Sequence, residues 1–391
     1  GGWSSLNPDQ GIKIKLPATV EQYYWGAYGR RPYQNEYYFE EDDPQVKNGN
    51  YLGVSWWWKE IFIPKSFKNK KVFLHLRGAR LRAEVYLNKQ LVGYHLITET
   101  SFSCEISQAM KPGEKNLLAI RITNPGGEMD WMDTKLHSWG EKQFHMGHGF
   151  GGLDRGIYFT AHDPIFLEKV WVLNTPEIHK IQVRGEITNS TTQQIPGNLV
   201  LEIWDPETNQ VLVTESSEVW LNPGKSNFFD ETVSCPSAVQ WDLQHPKLYQ
   251  LKATLRPLSG KGKKWNDVYT QFFGFRWFEA EGVGNDAVLR LNGQRIRLIS
   301  AISWGFWGFN GLWPTPELAE REVSAAKTLG LNCIQFHRNI GKTEVLDAQD
   351  RFGLLRYMEP GGGQSALGEV YSLYAASPAD SIDTSGKNGE A

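Results

Sequence analysis

Cysteine is scarce: Cys104, Cys235 and Cys333 are the only thiols in 391 residues. None stands in a C-x-x-C spacing, so neither a zinc ribbon nor a redox dithiol is supported. The odd count leaves at least one thiol unpaired within the chain. No apolar run approaches the roughly 18 residues a membrane-crossing helix needs. Charge is nearly balanced, 41 Lys+Arg against 44 Asp+Glu for a formal −3. That balance gives no electrostatic case for nucleic acid or an anionic membrane. An initiating Met and a signal-peptide pattern are both absent at Gly1-Gly2, the expectation for a trimmed or mature product. Gly149-Phe150-Gly151-Gly152 is not followed by a helix carrying Lys and Ser/Thr, which rejects a phosphate-binding loop.

What is abundant is aromatic: 16 Trp, 15 Tyr and 19 Phe. Large antiparallel sheets favour such residues, and their faces also suit the C–H faces of sugar rings. Both readings stay open for any one ring. Glu40-Glu41-Asp42-Asp43 is either a solvated acidic loop or an oxygen cluster for calcium; no metal site is assigned. Asn189-Ser190-Thr191 is a glycosylation sequon by pattern alone.

The length allows two or three domains. From about residue 10 to 172 the pattern is all-β. Val72, Leu74 and Leu76 alternate with polar or amphipathic neighbours, as do Leu118, Ile120 and Ile122, and turn signals such as Lys111-Pro112-Gly113 divide them. Many short strands without helices predict a jelly-roll sandwich for 1–172. Residues 173–275 predict an immunoglobulin-like sandwich, with Leu199, Leu201 and Ile203 leading into a turn at 205–209 and Val211 and Val213 returning. From 276 the pattern changes. Ile296 to Ile302 reads as a strand buried on both faces. Thr315-Pro316-Glu317 starts a helix whose apolar positions are Ala319, Val323, Ala326 and Leu329. Cys333, Ile334 and Phe336 form a strand, Val345, Ala348 and Phe352 a helix, and Leu354 to Met358 a strand. Strand–helix–strand–helix–strand between Leu289 and Met358 predicts a parallel sheet and the truncated start of a (β/α)8 barrel, which needs eight units.

Four segments resemble glycoside hydrolase family 2, the family of β-galactosidases, β-glucuronidases and β-mannosidases, in its N-terminal part. They are the Trp-rich strand Ser55 to Pro64; the hairpin Ala83 to Asn88 with Val92 to His95, where Lys89 replaces the usual Gly; Trp241 to Tyr249; and Phe273-Gly274-Phe275-Arg276 followed by Leu291-Asn292-Gly293-Gln294. The resemblance covers nearly the whole chain. It implies a multi-domain, mainly β protein: a sugar-binding jelly roll, an immunoglobulin-like sandwich, then the start of the barrel. It also implies an exo-acting, retaining hydrolase of β-glycosidic bonds in oligo- or polysaccharides, without a cofactor and in the periplasm or outside the cell. Residues 297–307 and 336–340 depart from the family's usual strand ends, so no galactose specificity is carried over.

Retaining hydrolysis needs two carboxyl groups about 5–5.5 Å apart. The resemblance puts both on glutamates after the fourth and seventh barrel strands, so no catalytic residue is assigned here and the chain alone is expected to be inactive. His337 and Arg338 follow the second barrel strand, where they could bind sugar hydroxyls or a uronic carboxylate. Arg338 pairing with Glu359 is the structural alternative. Glu359 follows the third strand and Trp304 the first; each is a substrate contact or a rim residue. The competing function is a non-catalytic carbohydrate-binding protein. A β-rich structural protein is a third reading, and a homo-oligomer stays open.

Overall fold

The structure is a computed structural model. It describes residues 6, 8–20, 23, 53–79, 82–95, 101–124, 137–139, 142–144, 151–153, 155–224, 226–258, 265–303, 314–336 and 341–358.

The first unit is a jelly-roll-type sandwich. One antiparallel sheet runs Gly53–Phe62, Lys115–Asn124, Arg82–Leu87, Gln90–His95; the other runs Ile157–His162, Lys71–Leu76, Phe102–Glu105. Period-two burial drives the packing: Val72, Leu74 and Leu76 point inward with Ala83, Val85, Leu87, Ile120 and Ile122. Trp57 packs against this core. Trp56 and Trp58 therefore lie on the opposite face, where Trp56 sits 5.6 Å from Tyr86. Between Leu87 and Gln90, Asn88 and Lys89 both have positive φ, 51° and 72°. This tight two-residue turn is one that Asn tolerates and Lys does not favour.

The second unit opposes a three-stranded sheet (Ile165–Asn174, Lys180–Asn189, Ser226–Ser234) to a four-stranded one (Gln210–Leu221, Ile195–Asp205, Tyr249–Pro257, Asp267–Phe273). Its core holds Leu199, Leu201, Ile203, Tyr249, Phe273 and Phe275, an immunoglobulin-like arrangement. Strand Ile165–Asn174 straddles residue 173, and Ile165, Leu167 and Val170 already belong to this second core. Asn189 of the sequon is fully buried, and its amide donates to the carbonyls of Gln193 and Leu221, both at 2.9 Å. It is no acceptor for a glycan in the folded state.

The third unit corrects two expectations. Leu289 does not open a parallel sheet: Phe278–Glu281, Val288–Leu291 and Gln294–Ile296 form an antiparallel meander. The first parallel strand is only Ser300–Ser303, and Ile299 and Ile302 are 52% and 51% exposed rather than buried. An apolar run fixes neither strand bounds nor burial, because burial depends on what covers each face. From there the order is as expected. Helix α1, Pro316–Thr328, is capped by Thr315, whose Oγ accepts from the Leu318 amide. Strand Cys333–Phe336 follows, then helix α2, Thr343–Phe352, and strand Leu355–Met358. The three strands pair in parallel. Leu329 caps α1 and is 78% exposed, so the helix's apolar stripe ends at Ala326.

Named contacts join the units. His162 Nδ1 lies 2.8 Å from Asp267 Oδ1, linking the sandwiches. Arg77 of the first sandwich pairs with Glu344 of α2 at 2.9 Å. Lys327 of α1 donates to the Leu243 carbonyl at 2.7 Å and to the Phe352 carbonyl.

Candidate functional site

The carboxyl ends of adjacent parallel strands are where barrel enzymes gather their reactive groups. Here Ser303, Phe336 and Met358 stand in register at one edge of the three-stranded sheet. Trp304, His337 and Glu359 are the next residues in sequence, with Arg338 one further. All four lie outside the described residues, as do Glu40 to Asp43. The three described strand ends carry no carboxylate.

Alternation along the strands separates two faces. Ile334 and Phe336 pack against the helices together with Ala319, Val323, Val345 and Ala348. In register with them, Ser303 donates its hydroxyl to Glu322 of α1, and Arg356 donates to Asp350 of α2. The opposite face presents Ile302, Gln335 and Tyr357, and Ile302 and Tyr357 are about half exposed. Parallel sheets ordinarily have both faces covered.

Glu322, which accepts from Ser303 at this edge, is a carboxylate that the sequence reading missed. Burial raises its pKa above the ordinary glutamate value, and the Ser303 hydrogen bond partly opposes that shift. Its second oxygen, Oε2, is buried with no hydrogen-bond partner among the described residues. A glutamate bordering the Ala319–Val323–Ala326 stripe was the available signal.

A second cluster anchors this unit to the sandwich behind it. Trp241 is fully buried, and its Nε1 donates to the Asp350 carbonyl at 2.7 Å. The Arg276 guanidinium lies over the indole at 4.4 Å and reaches Asp350 Oδ1 at 3.0 Å, an oxygen that also accepts from Arg356. Burial lowers the Arg356 pKa, against the raising influence of Asp350. Asn292 Nδ2 donates to the Trp241 carbonyl at 2.9 Å. These residues join the parallel unit to the second sandwich.

Among the described residues no cluster of His, Cys, Asp or Glu has metal-binding geometry, and the three cysteines are buried and unpaired. Burial pushes the Cys104 thiol up to about 11, which makes it inert as a nucleophile. No helix among the described residues is long and apolar enough to cross a membrane.

Comparison with known proteins gives these units a context. Residues 166–276 match the family model of glycosyl hydrolases family 2. A β-glucuronidase of Formosa agariphila is 23% identical over 84% of this chain and 34% of its own length. A β-galactosidase of Thermoanaerobacter pseudethanolicus is 24% identical over 84% of this chain and 41% of its own length. The chain thus spans less than half the length of either relative. The crystal structure of Bacteroides uniformis β-glucuronidase superposes with a TM-score of 0.67 at 21% identity, over 95% of this chain and 42% of that one. This likeness shows the fold.

Proposed function

Because the chain carries the N-terminal region of glycoside hydrolase family 2, we propose that it forms the sugar-binding, spacer and barrel-entry part of a retaining, exo-acting β-glycosidase. The observation that carries this reading is the order of units: jelly roll, a second sandwich matching the family model, then a parallel βαβαβ unit docked on it through Trp241 and Asp350. The exposed face of the parallel sheet suits the inner side of a barrel whose remaining strands would cover it.

In this reading 391 residues do not suffice for hydrolysis. The acid/base and the nucleophile are glutamates of later barrel strands, about 5–5.5 Å apart. His337, Arg338, Trp304 and Glu359 follow the strand ends and contact the sugar. Arg338 is suited to a uronic carboxylate, which it can hold in a bidentate pair. A periplasmic or extracellular location belongs to the same reading and rests on family resemblance alone.

The test is hydrolysis of aryl β-glucuronide, β-galactoside and β-mannoside by the chain and by a protein extended with the rest of a barrel. The extended protein is expected to release the aryl group with net retention by proton NMR, and the chain to release none. Turnover by the pure 391-residue chain would overturn the division of labour. An inverted product would overturn the retaining mechanism. Glycan binding without hydrolysis by either protein would favour the non-catalytic carbohydrate-binding reading.

A further inference from the structure

A cleft of about 390 Å³ lies where the two sandwiches meet, lined by Lys68, Lys70, Lys71, Ser107 and Gln108 from the first and Ser190 from the second. We propose that this cleft is an accessory site for an anionic sugar unit, carboxylated or sulfated, within a glycan chain.

The sequence Lys65-Ser66-Phe67-Lys68-Asn69-Lys70-Lys71 puts four ammonium groups in seven residues. The backbone gives this run a defined shape. Lys65–Phe67 is a short 3-10 turn, the Lys68 amide donates to the Lys65 carbonyl at 3.1 Å, and the Lys70 amide to the Phe67 carbonyl at 3.0 Å. Asn69 then takes a φ of 66° and turns the chain into strand Lys71–Leu76.

Two of the ammonium groups are held in place. Lys70 Nζ sits 2.9 Å from Asp163 Oδ1, and Lys71 Nζ sits 2.7 Å from Glu105 Oε1. An ammonium has three N–H donors, so each keeps donors for a ligand. Ser107 Oγ accepts from the Val72 amide at 2.9 Å, leaving its own proton to donate. Met110, Pro112 and Pro164 add apolar surface.

Structural pairing accounts for Lys70 and Lys71 but not for Lys68, which has no carboxylate in salt-bridge range among the described residues. Three lysines against two carboxylates leave one positive charge in excess. That charge suits a single anionic substituent, while the paired groups suit hydroxyls. The described lining has no aromatic ring on which a base could stack, which argues against single-stranded nucleic acid.

The inference rests on the carbohydrate reading above but is tested apart from it, because binding to the 391-residue chain requires no turnover. Calorimetry and affinity electrophoresis would use polygalacturonate, dextran sulfate, neutral dextran and a single-stranded DNA oligomer. Binding is expected to polygalacturonate, to dextran sulfate or to both, which separates carboxylate from sulfate, and to weaken with added salt. Lys68→Gln should weaken it about fivefold, the upper range for an exposed ion pair, with unchanged thermal melting. Equal binding to dextran, equal binding to the DNA, no binding at all, or no effect of Lys68→Gln would each overturn the proposal. Failure of the extended protein to hydrolyse β-glycosides would leave this result untouched and count against the glycosidase reading alone.

Discussion

The indole of Trp241 donates to the backbone carbonyl of Asp350 at 2.7 Å, across 109 positions of sequence. One residue closes the second sandwich and the other lies on the last turn of α2. The bond thus ties the parallel unit to the sandwich that precedes it. Arg276 covers the ring and grips the same aspartate through its side chain. Trp241→Phe keeps most of the apolar volume but leaves the carbonyl without this donor, a loss of about 1–3 kcal/mol. Chemical denaturation should show that loss. Limited proteolysis should show residues 314–358 becoming cleavable before the sandwiches. Unchanged stability would mean that the carbonyl finds another donor.

The two helix ends offer a controlled comparison. Gly330 and Gly353 follow α1 and α2 with φ of 80° and 75°, so a side chain at either pays the left-handed backbone cost of about 1–2 kcal/mol. A Cβ at Gly330 meets nothing within 4 Å, whereas one at Gly353 falls 2.5 Å from the Leu243 carbonyl oxygen. Gly330→Ala should therefore cost only the backbone term. Gly353→Ala should cost at least about 1 kcal/mol more, because α2 must shift off the second sandwich. Denaturant midpoints of the two variants measure the difference directly.

Much of this architecture was legible because burial follows period. Val72, Leu74 and Leu76 alternate inward, and Thr315-Pro316-Glu317 caps α1 as its residue types require. The Ile296 to Ile302 run misled for a physical reason: exposure of Ile299 and Ile302 depends on what covers that face, which composition does not encode. The Trp241–Asp350 bond was hidden differently. Its acceptor is a backbone carbonyl, identical at every residue, so no side-chain pattern marks it. Of the candidate site, the strand ends were readable from the βαβαβ order. The four side chains expected there lie outside the described residues.

The Asn88-Lys89 turn departs from the chemistry its geometry favours. Lys89 holds a φ of 72° where glycine would pay no steric cost. A second two-residue turn, Asn292-Gly293 with φ of 53° and 77°, has the favoured pair. Lys89→Gly removes about 1–2 kcal/mol of left-handed strain and returns part of it as unfolded-chain entropy. A net stabilisation of about 0.5–1 kcal/mol is expected, measured as a higher melting temperature of the first sandwich. A lower one would mean that the lysine side chain makes contacts outweighing its backbone strain.

Glu322 makes the stability of the parallel unit depend on pH, and the sign can be worked out. Burial raises its folded-state pKa above the ordinary 4.5, so the folded protein holds this proton more tightly than the unfolded chain does. The resulting stability is fully present below about pH 4.5 and is lost as pH rises through the folded-state value. Glu322→Gln keeps an oxygen to accept from Ser303 and cannot ionise. Relative to the parent, the variant should gain stability at about pH 7 and lose that advantage at about pH 4. Urea denaturation of both proteins at the two pH values isolates this group, because all other titrating residues are common to the pair. A variant equally stable relative to the parent at both values would show that Glu322 ionises in the fold as freely as in water.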